Sequence, residues 1–267
     1  MISVGEACVL GVVQGATEFL PVSSSGHLAV VHSLLTPLPG AQTAAFDVAL
    51  HGGTLVAVVA YFRRDLAEMS RGLLGVAGGW RRTWTWMILL ATLPAMLVVI
   101  PFQGAIEQSF HSLRIVGLNF LLTGTLLWAA ARVRGGGRDE DGVRPVDAVV
   151  IGCFQACALL PGISRSGATL AGGVLCGLDE EVAARFGFLL GIPAIVAAEV
   201  SQLGTLRTLS ADSLGALAAG TVVAGLVGFA AIWGFMQLVR VHRLHYFAYY
   251  LWPLGIFVLA ASVVKGS

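Results

Sequence analysis

The sequence predicts an all-α polytopic membrane protein of two inverted-topology repeats, each a re-entrant helix hairpin plus three transmembrane helices. Three observations carry this. First, 57% of the 267 residues are hydrophobic and 12% charged, with a mean hydropathy of +0.84. Soluble domains carry about twice that charged fraction, and a soluble fold of this composition would expose far too much apolar surface. Second, the apolar runs come as two short and three long, and then the same order returns. Third, residues match at an offset of 141: Gly11 and Gln14 with Gly152 and Gln155, and Ser25 and Gly26 with Ser166 and Gly167.

The chain reads as one membrane domain over 1–267, with repeat one at about 1–133, a loop at 134–145 and repeat two at about 146–264. Residues 2–17 form an apolar, Gly-containing helix too short for a full span. It breaks at the Leu-Pro-Val-Ser-Ser-Ser-Gly run, and a second short helix follows from about His27 to Leu35, ended by Thr-Pro-Leu-Pro-Gly at 36–40. Such a pair reads as a re-entrant hairpin, whose irregular turn is tolerated where it lines a protein cavity instead of lipid. Spans are expected at about 44–62, 84–102 and 113–131, with an Arg-rich loop at 63–82 and a polar one at 132–145. The second hairpin runs from about 146 to Leu178 around Pro161–Thr169, and spans follow at about 185–202, 214–237 and 246–264.

Three spans is an odd number of crossings, so the second repeat must be inverted. Charge supports this. The loops at 63–82, 132–145, 179–185 and 238–245 fall on one side and hold twelve of the sixteen Lys and Arg residues; the other side keeps Arg114, Arg207 and Lys265. The positive-inside bias places both termini outside, and one hairpin then enters from each face. Inverted repeats with broken helices at the centre put a site at the repeat interface.

The polar residues concentrate at those breaks. Before Arg63 the only formal charges are Glu6, Glu18 and Asp47, yet residues 14–27 hold Gln14, Thr17, Glu18, Ser23, Ser24, Ser25 and His27. Polar groups at membrane depth are costly and mark functional cavities. The facing turn supplies Ser164, Arg165, Ser166, Gly167 and Thr169, and Arg165 is the one Arg this topology leaves inside the membrane. A planar guanidinium suits phosphate oxygens, and Ser- and Gly-containing turns at helix N-termini add backbone donors, so both turns read as anion cradles. Gln14 and Glu18 lie one helical turn apart, oxygen donors for a hard divalent ion. Phosphate, hydroxyl, imidazole and carboxylate together are the parts of phosphoryl transfer.

The run Gln14-Gly-x-Thr-Glu18-Phe-Leu-Pro-Val-Ser-Ser-Ser-Gly-His27 and the run Pro161-Gly-x-Ser-Arg165-Ser-Gly-Ala-Thr169 resemble the two signature segments of the undecaprenyl-diphosphate phosphatases of the bacitracin-resistance type. Phe46-x-x-x-x-x-Gly-Gly-Thr-Leu-Val-Ala-Val, Ile151-Gly-Cys-Phe-Gln155 and Phe186-x-Phe-Leu-Leu extend the likeness over nearly the whole chain. The resemblance implies hydrolysis of a C55 lipid diphosphate to the monophosphate at the bacterial inner membrane, with the site open to the outer face. It assigns Glu18, Ser24, His27 and Arg165 as catalytic residues. With the two cradles read this way, substrate phosphate is expected at Thr17, Ser23, Ser25, Gly26, Ser164, Ser166, Gly167 and Thr169, and the resemblance implies a divalent cation, expected as Mg or Ca, at Gln14 and Glu18. Gln at 14 leaves one carboxylate in that pair. Partners are then the polyprenyl diphosphate and membrane lipids, with a homodimer left open.

Other readings stand beside these. Arg165 may be read as a structural partner of Glu18, Ser24 as a loop hydroxyl, and His27 competes with Ser24 as nucleophile. His32 and His51 read as satisfied helix residues, and Asp47 and Glu199 as interfacial. Trp80, Trp84, Trp86, Trp252, Tyr249 and Tyr250 suit membrane interfaces. The four Cys read as packing residues. A net charge of +1 without a basic stripe argues against nucleic acid, and the first residues show no cleavable signal peptide. A lipid-phosphate flippase or transporter on the same scaffold is the rival function, and a non-catalytic scaffold the third.

Overall fold

The structure, a computed structural model, describes residues 2–34, 40–76, 79–110, 112–133, 137–202, 204 and 213–265. The expected break at 36–39 and Arg207 lie outside them. The described residues are helical almost throughout: α1 (Val4–Phe19), α2 (Ser24–Leu34), α3 (Gly40–Tyr61), α4 (Arg63–Leu73), α5 (Trp80–Ser109), α6 (Leu113–Ala130), a 3-10 turn (Glu140–Gly142), α7 (Pro145–Cys157), α8 (Arg165–Leu175), α9 (Glu180–Gln202), α10 (Leu214–Arg240) and α11 (His245–Lys265). Six of these helices, α3, α5, α6, α9, α10 and α11, contain stretches long and apolar enough to cross a membrane, so the chain is a polytopic membrane protein.

Local chemistry sets the short helices. Ser3 and Glu6 form a capping box at the start of α1, each bonding the other's backbone N–H. Leu20 is extended because Pro21 follows, which ends α1. The turn to α2 closes through Ser23, a non-glycine residue at φ 71°. Ser164 caps α8 by accepting from the Gly167 N–H at 3.1 Å. Before it, Gly162 sits at φ +88°, a left-handed conformation that suits glycine. Its turn is pinned from α6, where Asn119 Nδ2 donates to the Pro161 carbonyl (2.7 Å) and Thr123 Oγ1 to that of Gly162 (3.1 Å).

The two halves interlock. α1 packs along α10, while its counterpart α7 packs along α5; α3 touches α9, and α6 lies along α11. The matched glycines explain the closeness. A Cβ on Gly11 would lie 2.4 Å from the Gly220 carbonyl oxygen of α10, and one on Gly152 would lie 2.4 Å from that of Ala91 on α5. Small residues let membrane helices approach to backbone contact. Thus each hairpin is wedged into helices of the other half.

The four Arg-bearing segments meet at one end of the bundle. Arg185 pairs with Glu140 (2.5 Å) and with Asp65 of α4, and Arg240 pairs with Glu181 at 2.7 Å. Arg138 pairs with the buried Asp147 at 2.7 Å and also donates to the Cys176 carbonyl, clasping the 137–142 segment to both arms of the second hairpin. Hydrogen bonding to that carboxylate raises the Arg138 guanidinium above its ordinary value.

Four expectations need correction. The 63–82 segment contains a helix, α4, whose apolar side packs on α5 and buries Met69 and Gly72. Helix α5 is 30 residues long and passes through Pro94 and Pro101, well beyond the expected span. Helix α9 begins at Glu180 because acidic residues suit a first turn. Trp84 is a core residue instead of an interfacial one: it is fully buried against Phe186, with its indole N–H on the Glu140 carbonyl.

Candidate active site

One residue from each turn, Ser24 and Arg165, converges on Glu18. Being 8% exposed, this carboxylate must find its partners within the protein. Arg165 Nη2 donates to its Oε1 at 2.5 Å, and the Ser24 hydroxyl donates to its Oε2 at 2.5 Å. Gln14 Nε2 donates to Oε2 at 3.2 Å from one turn earlier on α1. His51 Nε2 on α3 stands 3.6 Å from the same oxygen. One carboxylate therefore gathers a hydroxyl, a guanidinium, an amide and an imidazole from three regions of the chain.

Arg165 reaches Glu18 by lying across Gly191 of α9. A Cβ there would fall 1.4 Å from Arg165 Nη1, so only the missing side chain leaves room for the guanidinium. The tips of the hairpins touch: the Ser166 hydroxyl donates to the Leu20 carbonyl at 3.2 Å, and a Cβ on Gly167 would meet Pro21 at 3.1 Å. The N-terminal turns of α2 and α8 thus enter the same region from opposite halves.

His27 is set apart from the Ser24–Glu18 pair. Its Nδ1 bonds the Ser23 carbonyl at 2.8 Å, and its Nε2 bonds the Tyr250 hydroxyl of α11 at 2.7 Å. The Phe120 ring packs edge-on against it, centroids 5.2 Å apart. Ser23 and Ser25 share a hydrogen bond (3.3 Å), as do Ser164 and Ser166 (3.1 Å), and the Gly26 N–H reaches Ser23 at 3.4 Å. Thr17 and Thr169 commit their hydroxyls to carbonyls of their own helices, at 2.6 Å to Val13 and 2.9 Å to Arg165. Thr169 is also fully buried, against Gly187.

Gln14 Oε1 is buried and unpartnered, one turn from Glu18, and both are oxygen donors of the kind hard cations take. Among the described residues no group of three His, Cys, Asp or Glu side chains can hold a metal. The residues fit an ion that takes its other ligands from phosphate and water.

His51, read as a satisfied helix residue, bonds the Asp47 carbonyl through Nδ1 at 2.7 Å but also faces Glu18; Tyr250, read as interfacial, meets His27; Gly191 carries no signal. His51, Tyr250 and Gly191 lie in ordinary apolar helices, and only tertiary packing brings them to the turns. His32 pairs with Asp47 at 3.0 Å, as a satisfied helix residue should. Asn119 and Thr123 did leave a trace: two polar residues one turn apart on an apolar helix.

Fold and site together define a polytopic membrane protein with a buried polar cluster where two helix hairpins meet. The chain belongs to the bacitracin resistance protein BacA family, whose model matches residues 7–257. It is similar to the undecaprenyl-diphosphatase of Methanobrevibacter smithii, 38% identical over 273 residues and covering 97% of each chain. It is likewise similar to that of Syntrophotalea carbinolica, 40% identical over 96% of this chain and 98% of the relative. The undecaprenyl-diphosphatase of Rubrobacter xylanophilus is also 40% identical, over 97% and 98% of the two chains.

Proposed function

We propose that the protein is a membrane phosphatase that hydrolyses undecaprenyl diphosphate to undecaprenyl phosphate and inorganic phosphate. It would thereby recycle the carrier lipid for cell-wall synthesis and confer bacitracin resistance. The observation that carries this reading is the Glu18 carboxylate, held between the Ser24 hydroxyl and the Arg165 guanidinium.

In the free protein Arg165 neutralises Glu18. A diphosphate brings more negative charge than one carboxylate and offers the guanidinium its preferred planar, two-point partner. As Arg165 turns toward phosphate, Glu18 Oε1 is freed from its ion pair while Oε2 keeps the Ser24 hydroxyl. Ser24 then passes its proton to Glu18 while Oγ bonds the terminal phosphorus. The bridging P–O bond breaks and its electron pair leaves with undecaprenyl phosphate. Water next attacks the phosphoserine, its proton relayed to His27, and Ser24 recovers its own proton from Glu18 as the Oγ–P bond breaks; His27 then gives up its proton as inorganic phosphate leaves. Ser24 is favoured over His27 as nucleophile because its hydroxyl touches Glu18, whereas both His27 nitrogens are engaged elsewhere.

Ser23, Ser25 and Gly26 on one turn, with Ser164, Ser166 and Gly167 on the other, form the phosphate cradle in this reading. Thr17 and Thr169 shape it from behind. Gln14 and Glu18 would hold a divalent cation, Mg or Ca, shared with the diphosphate; when bound it neutralises phosphate charge. The Arg-rich end of the bundle is assigned to the cytoplasm, which inverts the second repeat, puts both termini outside and opens the site to the outer face.

The test is phosphate release from undecaprenyl diphosphate by the purified protein. Wild type should release phosphate, and Ser24→Ala, His27→Ala and Arg165→Ala should not. Wild type that releases none with Mg or Ca, yet moves lipid phosphate across vesicles, would establish the flippase instead.

A further inference from the structure

His27 is held on both sides, and the second contact belongs to no motif. Its Nδ1 faces the Ser23 carbonyl, which can only accept, so Nδ1 carries the hydrogen. In the neutral ring Nε2 is then the bare acceptor, and the Tyr250 hydroxyl at 2.7 Å donates to it. The two rings stack at 5.8 Å with 10° between their planes, and Phe120 closes a further side. Tyr250 comes from α11, far along the chain in the second half, and its side chain is half exposed. An aromatic placed there only for the membrane interface would not need its hydroxyl on an imidazole.

We propose that Tyr250 is a positioning residue for His27, and this rests on the phosphatase reading above. A phenol oxygen both donates and accepts. It donates to Nε2 while the ring is neutral; when the ring is protonated the phenol hydrogen moves to Nε2, the water's proton replaces it on the phenol oxygen, and that oxygen then accepts from Nε2–H. The same contact therefore holds the imidazole in one orientation before and after the proton moves. Because α11 packs along α6, whose Asn119 and Thr123 pin the second hairpin, one pair of helices sets both His27 and the Arg165 turn.

The experiment compares Tyr250→Phe and Tyr250→Leu with wild type, using undecaprenyl diphosphate as substrate and selective 15N labelling of histidine. Phe keeps the ring stack and loses only the hydroxyl. The inference predicts that Tyr250→Phe lowers kcat by about tenfold or more with KM within about twofold, within the range of a proton-transfer contribution. It also predicts that the His27 Nε2 resonance moves while the other histidines stay in place. A Tyr250→Phe protein with wild-type kcat and an unmoved Nε2 resonance, beside an impaired Tyr250→Leu, would reduce Tyr250 to packing and overturn the inference. Wild type without phosphatase activity would instead remove the reading beneath it. The Nε2 resonance separates the two failures, because it reports the contact without turnover.

Discussion

Glu18 and Arg165 lie 147 positions apart and form an ion pair of 2.5 Å where the two hairpin turns meet. Neither charge is affordable alone at that depth: Glu18 is buried and the Arg165 side chain is only 16% exposed. The pair joins the two halves of the chain and leaves Arg165 ready to exchange one anion for another.

Gly191→Ala should damage activity more than stability. The added methyl would occupy the space of the Arg165 guanidinium, and a flexible side-chain end moves more easily than a helix. Displacing a substrate-positioning group by about 1 Å can cost on the order of 100-fold. Steady-state phosphate release should fall by about that factor while the detergent-solubilised protein keeps a thermal midpoint near wild type. An active Gly191→Ala protein would show that Arg165 does not need its observed position.

His51→Ala should weaken the reaction without abolishing it. The imidazole stands 3.6 Å from Glu18, a longer contact than those of Ser24 and Arg165. At 3.6 Å the contact is a weak electrostatic one and not a hydrogen bond, worth up to about 1 kcal/mol, so kcat should fall by no more than about fivefold. A complete loss would mean that His51 takes a direct part in the chemistry.

Gly11→Ala and Gly152→Ala should destabilise the fold to a similar extent. In each, the new methyl meets a carbonyl oxygen of the opposite half at 2.4 Å. Overpacking of this kind costs about 1–3 kcal/mol, and thermal unfolding in detergent would show it. Gly215→Ala, where a Cβ meets nothing within 4 Å, is the control and should be neutral.

Accessibility labelling tests the orientation. In a cysteine-free background, Gln108→Cys should react with an impermeant maleimide added to intact cells, and Asp141→Cys should react only after permeabilisation. The reverse pattern would turn the site toward the cytoplasm.

How much of this was legible in the sequence depends on how local the cause is. The helix breaks at Pro21 and Gly162 and the Ser164 cap are written in a few adjacent residues, and the two turns were found where they stand. The repeat offset singles out Gly11 and Gly152, each of which meets a backbone carbonyl of the opposite half. Helix α4 was missed because its apolar positions are spread among arginines, so that mean polarity hid an amphipathic face. Trp84 was misplaced because aromatic type alone does not say which way a helix faces. His51, Tyr250 and Gly191 come to the site from α3, α11 and α9, and their roles exist only once those helices have packed.

The most direct measurement is phosphate release from undecaprenyl diphosphate by wild type, Glu18→Gln, Arg165→Ala and the double variant. If the two residues act as one unit, each single substitution should lose about 1,000-fold or more, and the double should be no worse than the weaker single, as coupled catalytic groups behave. Losses that multiply in the double variant, or a wild type that releases no phosphate, would contradict a shared site at the meeting of the two hairpins.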